Sequence, residues 1–203
     1  MSPRLKSMLM VAGIILPFAI TLIIVRTQVN LSELERTNQG ELLIPHIQWP
    51  ALQVLDEQQQ PYPVDNLTGR WSLVYFADGH CDTRCKNATY YLMRQFRLGL
   101  GEDASRVRRI VVHTATPNEE LRHFLDNHAD GNLELFAQPD TIDEQFADVL
   151  AQPASVIGEL FFMSPDGQIF LRYQPSDAME DTLLEADKML KDIKRTLKGS
   201  IIG

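Results

Sequence analysis

The sequence predicts an α/β protein, a single sheet with helices on its faces. Three observations carry this prediction. Short apolar runs that read as buried strands alternate with segments of helical period. Two of the helical segments open on capping-box patterns. A hairpin followed by a long amphipathic helix closes the chain. The 203 residues are 44% hydrophobic and 23% charged, which excludes a disordered or collagen-like polymer.

The elements follow in order. Trp71 to Ala77 (WSLVYFA) is short, continuous and aromatic-rich, the pattern of a buried strand. The polar turn Asp78-Gly79-His80 follows it. Residues 83–98 read as a helix with Ala88, Leu92 and Phe96 on one face. Val107 to His113 (VRRIVVH) is a second strand. Thr116-Pro117-Asn118-Glu119 reads as a capping box with proline at the first helical position, opening a helix that carries Leu121, Phe124, Leu125 and His128. Leu133 to Phe136 is a short strand. Thr141 and Glu144 form a second capping box before Ile142, Phe146, Val149 and Leu150.

Toward the end, Leu160 to Met163 and Ile169 to Leu171 flank Ser164-Pro165-Asp166-Gly167, a strong turn sequence, so a hairpin is expected. A helix over about 177–198 should bury Met179, Leu183, Ala186, Leu190, Ile193 and Leu197, with Gly199 ending it. A β-α-β unit followed by a β-β-α unit is the thioredoxin-like arrangement. The 107–113 strand should then pair parallel to 71–77, with the hairpin adding antiparallel strands.

Charge divides the chain. Residues 1–26 hold Arg4, Lys6 and Arg26 and no acid, whereas the rest carries 16 Lys/Arg against 27 Asp/Glu. An acidic bulk of this kind argues against a nucleic-acid partner, because phosphate backbones need clustered cations. Residues 7–25 carry no charge, and as a helix they span about 28 Å, close to a bilayer core. The expected organisation is a cytoplasmic start and transmembrane anchor over 1–26, an exported polar tether over 27–50, and a thioredoxin-like domain over 51–199. The basic start fixes the orientation. The chain is thus expected in the inner (cytoplasmic) membrane, single-pass, with its C-terminal domain in the periplasm or an equivalent exported space. A cleaved signal peptide is the rival reading, but no small-x-small cleavage pattern follows the run.

Cys81 and Cys85 are the informative pair. They sit at the join between the first buried strand and its helix, with Cys85 expected in the first helical turn and Cys81 in the loop before it. A helix N-terminus favours thiolate, so Cys81 is expected as the exposed nucleophile and Cys85 as the resolving thiol. Two thiolates also suit Cu(I). A purely structural disulfide is the bland alternative, although a bridge closing so short a loop adds only about 2 kcal/mol in the loop-length model.

The stretch Leu67-Thr68-Gly69-Arg70-Trp71 through Phe76, then Cys81-x3-Cys85, resembles the SCO/SenC family. Upstream, Leu52 to Asp56 is similar to that family's preceding strand; downstream, the likeness runs through Pro165-Asp166-Gly167 to the last helix, covering about residues 42–198. The resemblance implies a membrane-anchored, thioredoxin-like assembly factor for the copper centre of cytochrome c oxidase. Its partners would be a respiratory oxidase subunit or another assembly factor, and its ion copper(I).

The chain departs from the pattern. Asp82 and Lys86 stand where the family's cysteines are each followed by proline. The segment just before the hairpin, Ser155 to Leu160, lacks the histidine that is the third copper ligand. The metal set implied is then Cys81, Cys85 and a substitute. His113 at the end of the second strand is the candidate taken here, and His80, which adjoins Cys81, is the other. Glu159 is a further candidate to face the thiols. A general exported thiol-disulfide oxidoreductase and a non-catalytic tethered binding module are the alternatives.

Overall fold

The computed structural model describes residues 15–17, 38–150 and 155–200. The expected anchor, 7–25, lies outside these apart from a short helical piece at 15–17, and among the described residues no helix is long and apolar enough to cross a membrane. Residues 27–37 also lie outside them.

The domain begins at Asn38. Its sheet has six strands: β1 (Glu41–Gln48), β2 (Trp71–Ala77), β3 (Val107–His113), β4 (Leu133–Phe136), β5 (Leu160–Met163) and β6 (Gln168–Tyr173). The spatial order is β1-β6-β5-β2-β3-β4. β2 and β3 are parallel from Trp71↔Val107 to Ala77↔His113, and β4 continues the parallel half. β5 pairs antiparallel with both β2 and β6, as the hairpin reading required.

All seven residues of β2 are buried, because helices or loops cover both faces of this central strand. Alternation splits its side chains between two cores. Trp71, Leu73, Tyr75 and Ala77 join Leu92 and Phe96 of the first helix and Met189, Ile193 and Leu197 of the last. Val74 and Phe76 face Trp49, Ile142 and Phe146 on the other side.

The first helix runs without a break from Thr83 through Gly99, with the stretch Ala88–Gln95 wound in wider, π-type turns; this is α1. The remaining helices are α2 (Glu119–His128), α3 (Pro139–Ala147) and α4 (Met179–Gly199).

Four expectations need correction. The second half of the supposed tether is sheet: Glu41–Gln48 is an edge strand against β6, burying Leu43 and Ile47. Pro45 and a register shift between Leu42 and Ile47 break the two-residue alternation that would have announced it. The segment Leu52 to Asp56 forms isolated bridges through Leu55 rather than a full strand.

Both capping boxes are displaced. Asn118, not Thr116, caps α2, its side chain accepting from the Leu121 amide at 2.8 Å. Asn118 is held there because its own amide donates to the Gly79 carbonyl at 2.8 Å. α3 starts at Pro139, whose fixed φ suits a first helical position; Thr141 is therefore interior. Finally, the buried stripe of α4 is Thr182, Met189, Asp192, Ile193 and Leu197, while Met179 and Leu183 are 48% and 49% exposed. Buried Asp192 explains the rotation. Its carboxylate accepts from the amides of Gln39 and Gly40 and from the Tyr173 hydroxyl, so it must face inward.

A candidate redox site at the end of the central strand

The site is built where β2 ends. The chain turns at Asp78-Gly79, and Gly79 has φ of +88° with a Thr116 backbone oxygen only 2.6 Å from where a Cβ would stand. Only glycine fits that turn. Asp82 then caps α1: its Oδ1 accepts from the Cys85 amide at 2.8 Å, satisfying one of the helix's orphan donors. Cys85 thus occupies the first turn and Cys81 the loop before it, as spacing predicted. The two sulfurs are bonded to each other, with Cα atoms 5.0 Å apart.

Both cysteines belong to the core beneath α1. Cys81 is 4% exposed and Cys85 3%, so the expected contrast between an open and a covered sulfur is absent. Cys81 nonetheless lies between the exposed residues His80 and Asp82 in a short loop. Cys85 sits inside the helix, its carbonyl accepting from the Thr89 hydroxyl at 2.8 Å.

A charge chain runs from the cysteine loop. Arg84, between the two cysteines, donates to Glu159 at 2.6 Å. Glu159, just before β5, also accepts from Arg172 Nε at 2.9 Å, and Arg172 reaches Glu41 at 2.8 Å. Gly158, at φ of +78°, lies against the Arg84 guanidinium, 3.7 Å from where a Cβ would be. The segment before the hairpin is thereby fastened to the first turn of α1, between the two cysteines. Burial alone would lower the Arg172 pKa, but the hydrogen bond and charge of Glu159, then Glu41, reverse this and raise it. Beneath the loop, burial, helped by Asp82, raises the Tyr75 pKa far above the usual phenol range and keeps it neutral.

The remaining candidates fall as follows. Glu159 does reach the cysteine loop, but two guanidiniums neutralise it. His80 is exposed, near Asp78. His113 is buried at the end of β3, its Nε2 2.9 Å from Glu134, and its Nδ1 has no partner. Among the described residues no three His, Cys, Asp or Glu side chains converge as a metal site would require. The two soft sulfurs are bonded to each other, and among the described residues no histidine joins them. This set does not fit a two-thiolate, one-histidine copper site.

Sequence reasoning missed the Arg84–Glu159–Arg172–Glu41 chain, whose members are far apart in sequence. It also read Asp82 only as a departure from the family's Cys-Pro pattern, although an aspartate three residues before Cys85 at a strand–helix join is a capping signal.

A sheet of this order, with a cysteine pair where the central strand enters its helix, is the thioredoxin-like arrangement. The chain belongs to the family described as transmembrane-like, thioredoxin-like, C-terminal domain, whose model matches residues 71–200. Yeast Sco1 shares 14% identity, with a TM-score of 0.53 over 83% of this chain and 99% of that one. A second crystal structure, of yeast Sco1 with copper bound, aligns at 16% identity and TM-score 0.49, over 78% and 94% of the two chains. A SCO1/SenC family lipoprotein from Bacillus anthracis str. Ames aligns at 15% identity and TM-score 0.49, over 79% and 97%. The family match and the likeness to yeast Sco1 establish a thioredoxin-like fold of the SCO type. No curated protein matches the sequence.

Proposed function

We propose that this protein is a membrane-anchored, SCO-like assembly factor that acts by thiol-disulfide exchange at Cys81 and Cys85, with a respiratory oxidase subunit or another assembly factor as client. The observation that carries the reading is the bonded Cys81–Cys85 pair at the β2–α1 junction of an SCO-like fold.

In the reduced protein, the Cys81 thiolate attacks one sulfur of a client disulfide. A mixed disulfide forms and one client thiolate leaves. The Cys85 thiolate then attacks the Cys81 sulfur, closing the intramolecular bridge and releasing the second client thiolate. Two electrons pass to the client and its two thiolates take up protons. A dithiol protein of the exported compartment restores the reduced state by the same steps in reverse. Cys81 is given the attacking role because its loop is flanked by exposed His80 and Asp82. Copper delivery finds less support, since among the described residues no third donor joins the two sulfurs.

One observation favours a second reading, a tethered binding module that keeps the bridge only as structure: both cysteines are almost fully covered. The test is a trapping experiment on the full chain. Under exchange, Cys85→Ser accumulates a mixed disulfide at Cys81 with client or with glutathione, and Cys81→Ser accumulates far less. Oxidase assembly that survives Cys81→Ser/Cys85→Ser would transfer the assignment to the binding module. A parallel Cu(I) titration of the reduced protein should show no tight, thiol-dependent site.

A further inference from the structure

A second feature lies at the other end of the same strands. Arg70 precedes β2, Arg108 and Arg109 open β3, and Arg94 and Arg97 project from α1. Together with Asp130 they line a cavity of about 360 Å³. In a chain of formal charge −8, five guanidiniums share a pocket with one carboxylate. Among the described residues only Arg94 makes an ion pair there, to Asp130 at 3.2 Å. Arg97 and Arg108 are held by backbone carbonyls, of Val107 and Asn66, each at 3.0 Å.

Arg109 is the most telling member. It is 8% exposed. Its Nη2 donates to the Asp130 carbonyl at 2.5 Å, but its Nη1 is buried with no partner. Leaving a buried donor on a charged group unmade is costly. Burial first, then the charge of Arg97, lowers the Arg109 pKa, and burial followed by Arg70 does the same to Arg108. The fold has therefore assembled positive charges that oppose one another and positioned them with backbone bonds.

We infer that this pocket is an anion-binding site for a phosphate-type oxyanion, taken as the free ion or as the headgroup of an anionic lipid. The planar guanidinium fork matches phosphate oxygens in pairs. The excess of positive charge selects a multivalent ion over a single carboxylate, which would leave most of the repulsion in place. An anion bound here would supply the acceptor that Arg109 Nη1 lacks. The site is independent of the cysteine chemistry, since it involves neither sulfur.

The test is calorimetric titration of the full chain, paired with thermal unfolding, because a ligand of the folded state raises Tm. The probes are pyrophosphate, glycerol phosphate, dihexanoyl-phosphatidylglycerol and acetate. Pyrophosphate should bind saturably at one site per chain, raise Tm and weaken with added salt. Arg109→Gln should weaken it about tenfold, the loss expected of one charge-assisted bond. Because Arg109 is buried, the exposed-rim variant Arg70→Gln and the half-buried Arg108→Gln must each weaken it as well. Tighter binding of the phosphatidylglycerol than of glycerol phosphate assigns the headgroup source, and the reverse assigns the free ion. No saturable binding, equal binding of acetate, or affinity unchanged in all three variants would overturn the proposal.

Discussion

The two ends of the central strands handle charge in opposite ways. At the cysteine end, Arg84, Glu159, Arg172 and Glu41 form an alternating chain in which every member meets an opposite charge. At the other end, five arginines meet one aspartate. The first arrangement is complete without a ligand and acts as a clamp on the loop before the hairpin. The second is incomplete. Buried charge is stabilising only when paired and hydrogen-bonded, so the same residue type is structural at one end and marks a binding site at the other.

The contrast can be broken by mutation. The largest effect is expected from Glu159→Ala, which leaves Arg172 only the half-exposed Glu41 and frees Arg84. It should cost about 3 kcal/mol in urea unfolding and speed reaction of the sulfurs by releasing the segment around Gly158. A loss no greater than that of an exposed ion pair would show that the chain is not a clamp. Reducing the Cys81–Cys85 bridge comes next, with a loss of about 2 kcal/mol by the loop-length model, read as a lowered Tm in dithiothreitol. Asp82→Ala removes the cap from Cys85 and should cost about 1 kcal/mol in the same assay. At the arginine end the sign differs. Arg70→Gln relieves repulsion, so stability should stay within about 0.5 kcal/mol of wild type or rise slightly; a large loss would mean the pocket is a structural network after all.

The smallest effect lies in alkaline titration. Burial raises the pKa values of Tyr75 and Tyr173 in the folded state, with Asp82 and Asp192 adding to it respectively. A neutral acid held above its unfolded pKa contributes stability that is complete below that pKa and is lost as pH rises through it. Stability should therefore fall above about pH 10, and absorbance at 295 nm should show two of the five tyrosines ionising only with unfolding.

Much of the sheet could be read directly. Trp71–Ala77, Val107–His113 and Leu133–Phe136 begin and end where the sequence pattern places them, most plainly Trp71–Ala77, which is buried on both faces and carries an unbroken apolar signal. Glu41–Gln48 could not be read, because an edge strand is buried on one face only and here contains a proline. The face of α4 was misjudged because a buried aspartate, Asp192, outweighs two apolar residues that end up in solvent.

The site was legible in part. Local spacing placed Cys81 and Cys85, but their burial and the clamp depend on Glu159 and Arg172, which tertiary pairing alone brings in. The arginine pocket left only a faint trace: Arg94 and Arg97 one helical turn apart, and Arg70 and Arg108 each flanking a strand start.

The account rests on the Cys81–Cys85 bridge exchanging within the folded protein. The most direct measurement is the rate of glutathione exchange with the oxidised full chain in native buffer, set beside its global unfolding rate. Exchange should outpace unfolding by orders of magnitude and quicken in Glu159→Ala. Exchange that merely follows the unfolding rate, in wild type and variant alike, would contradict it.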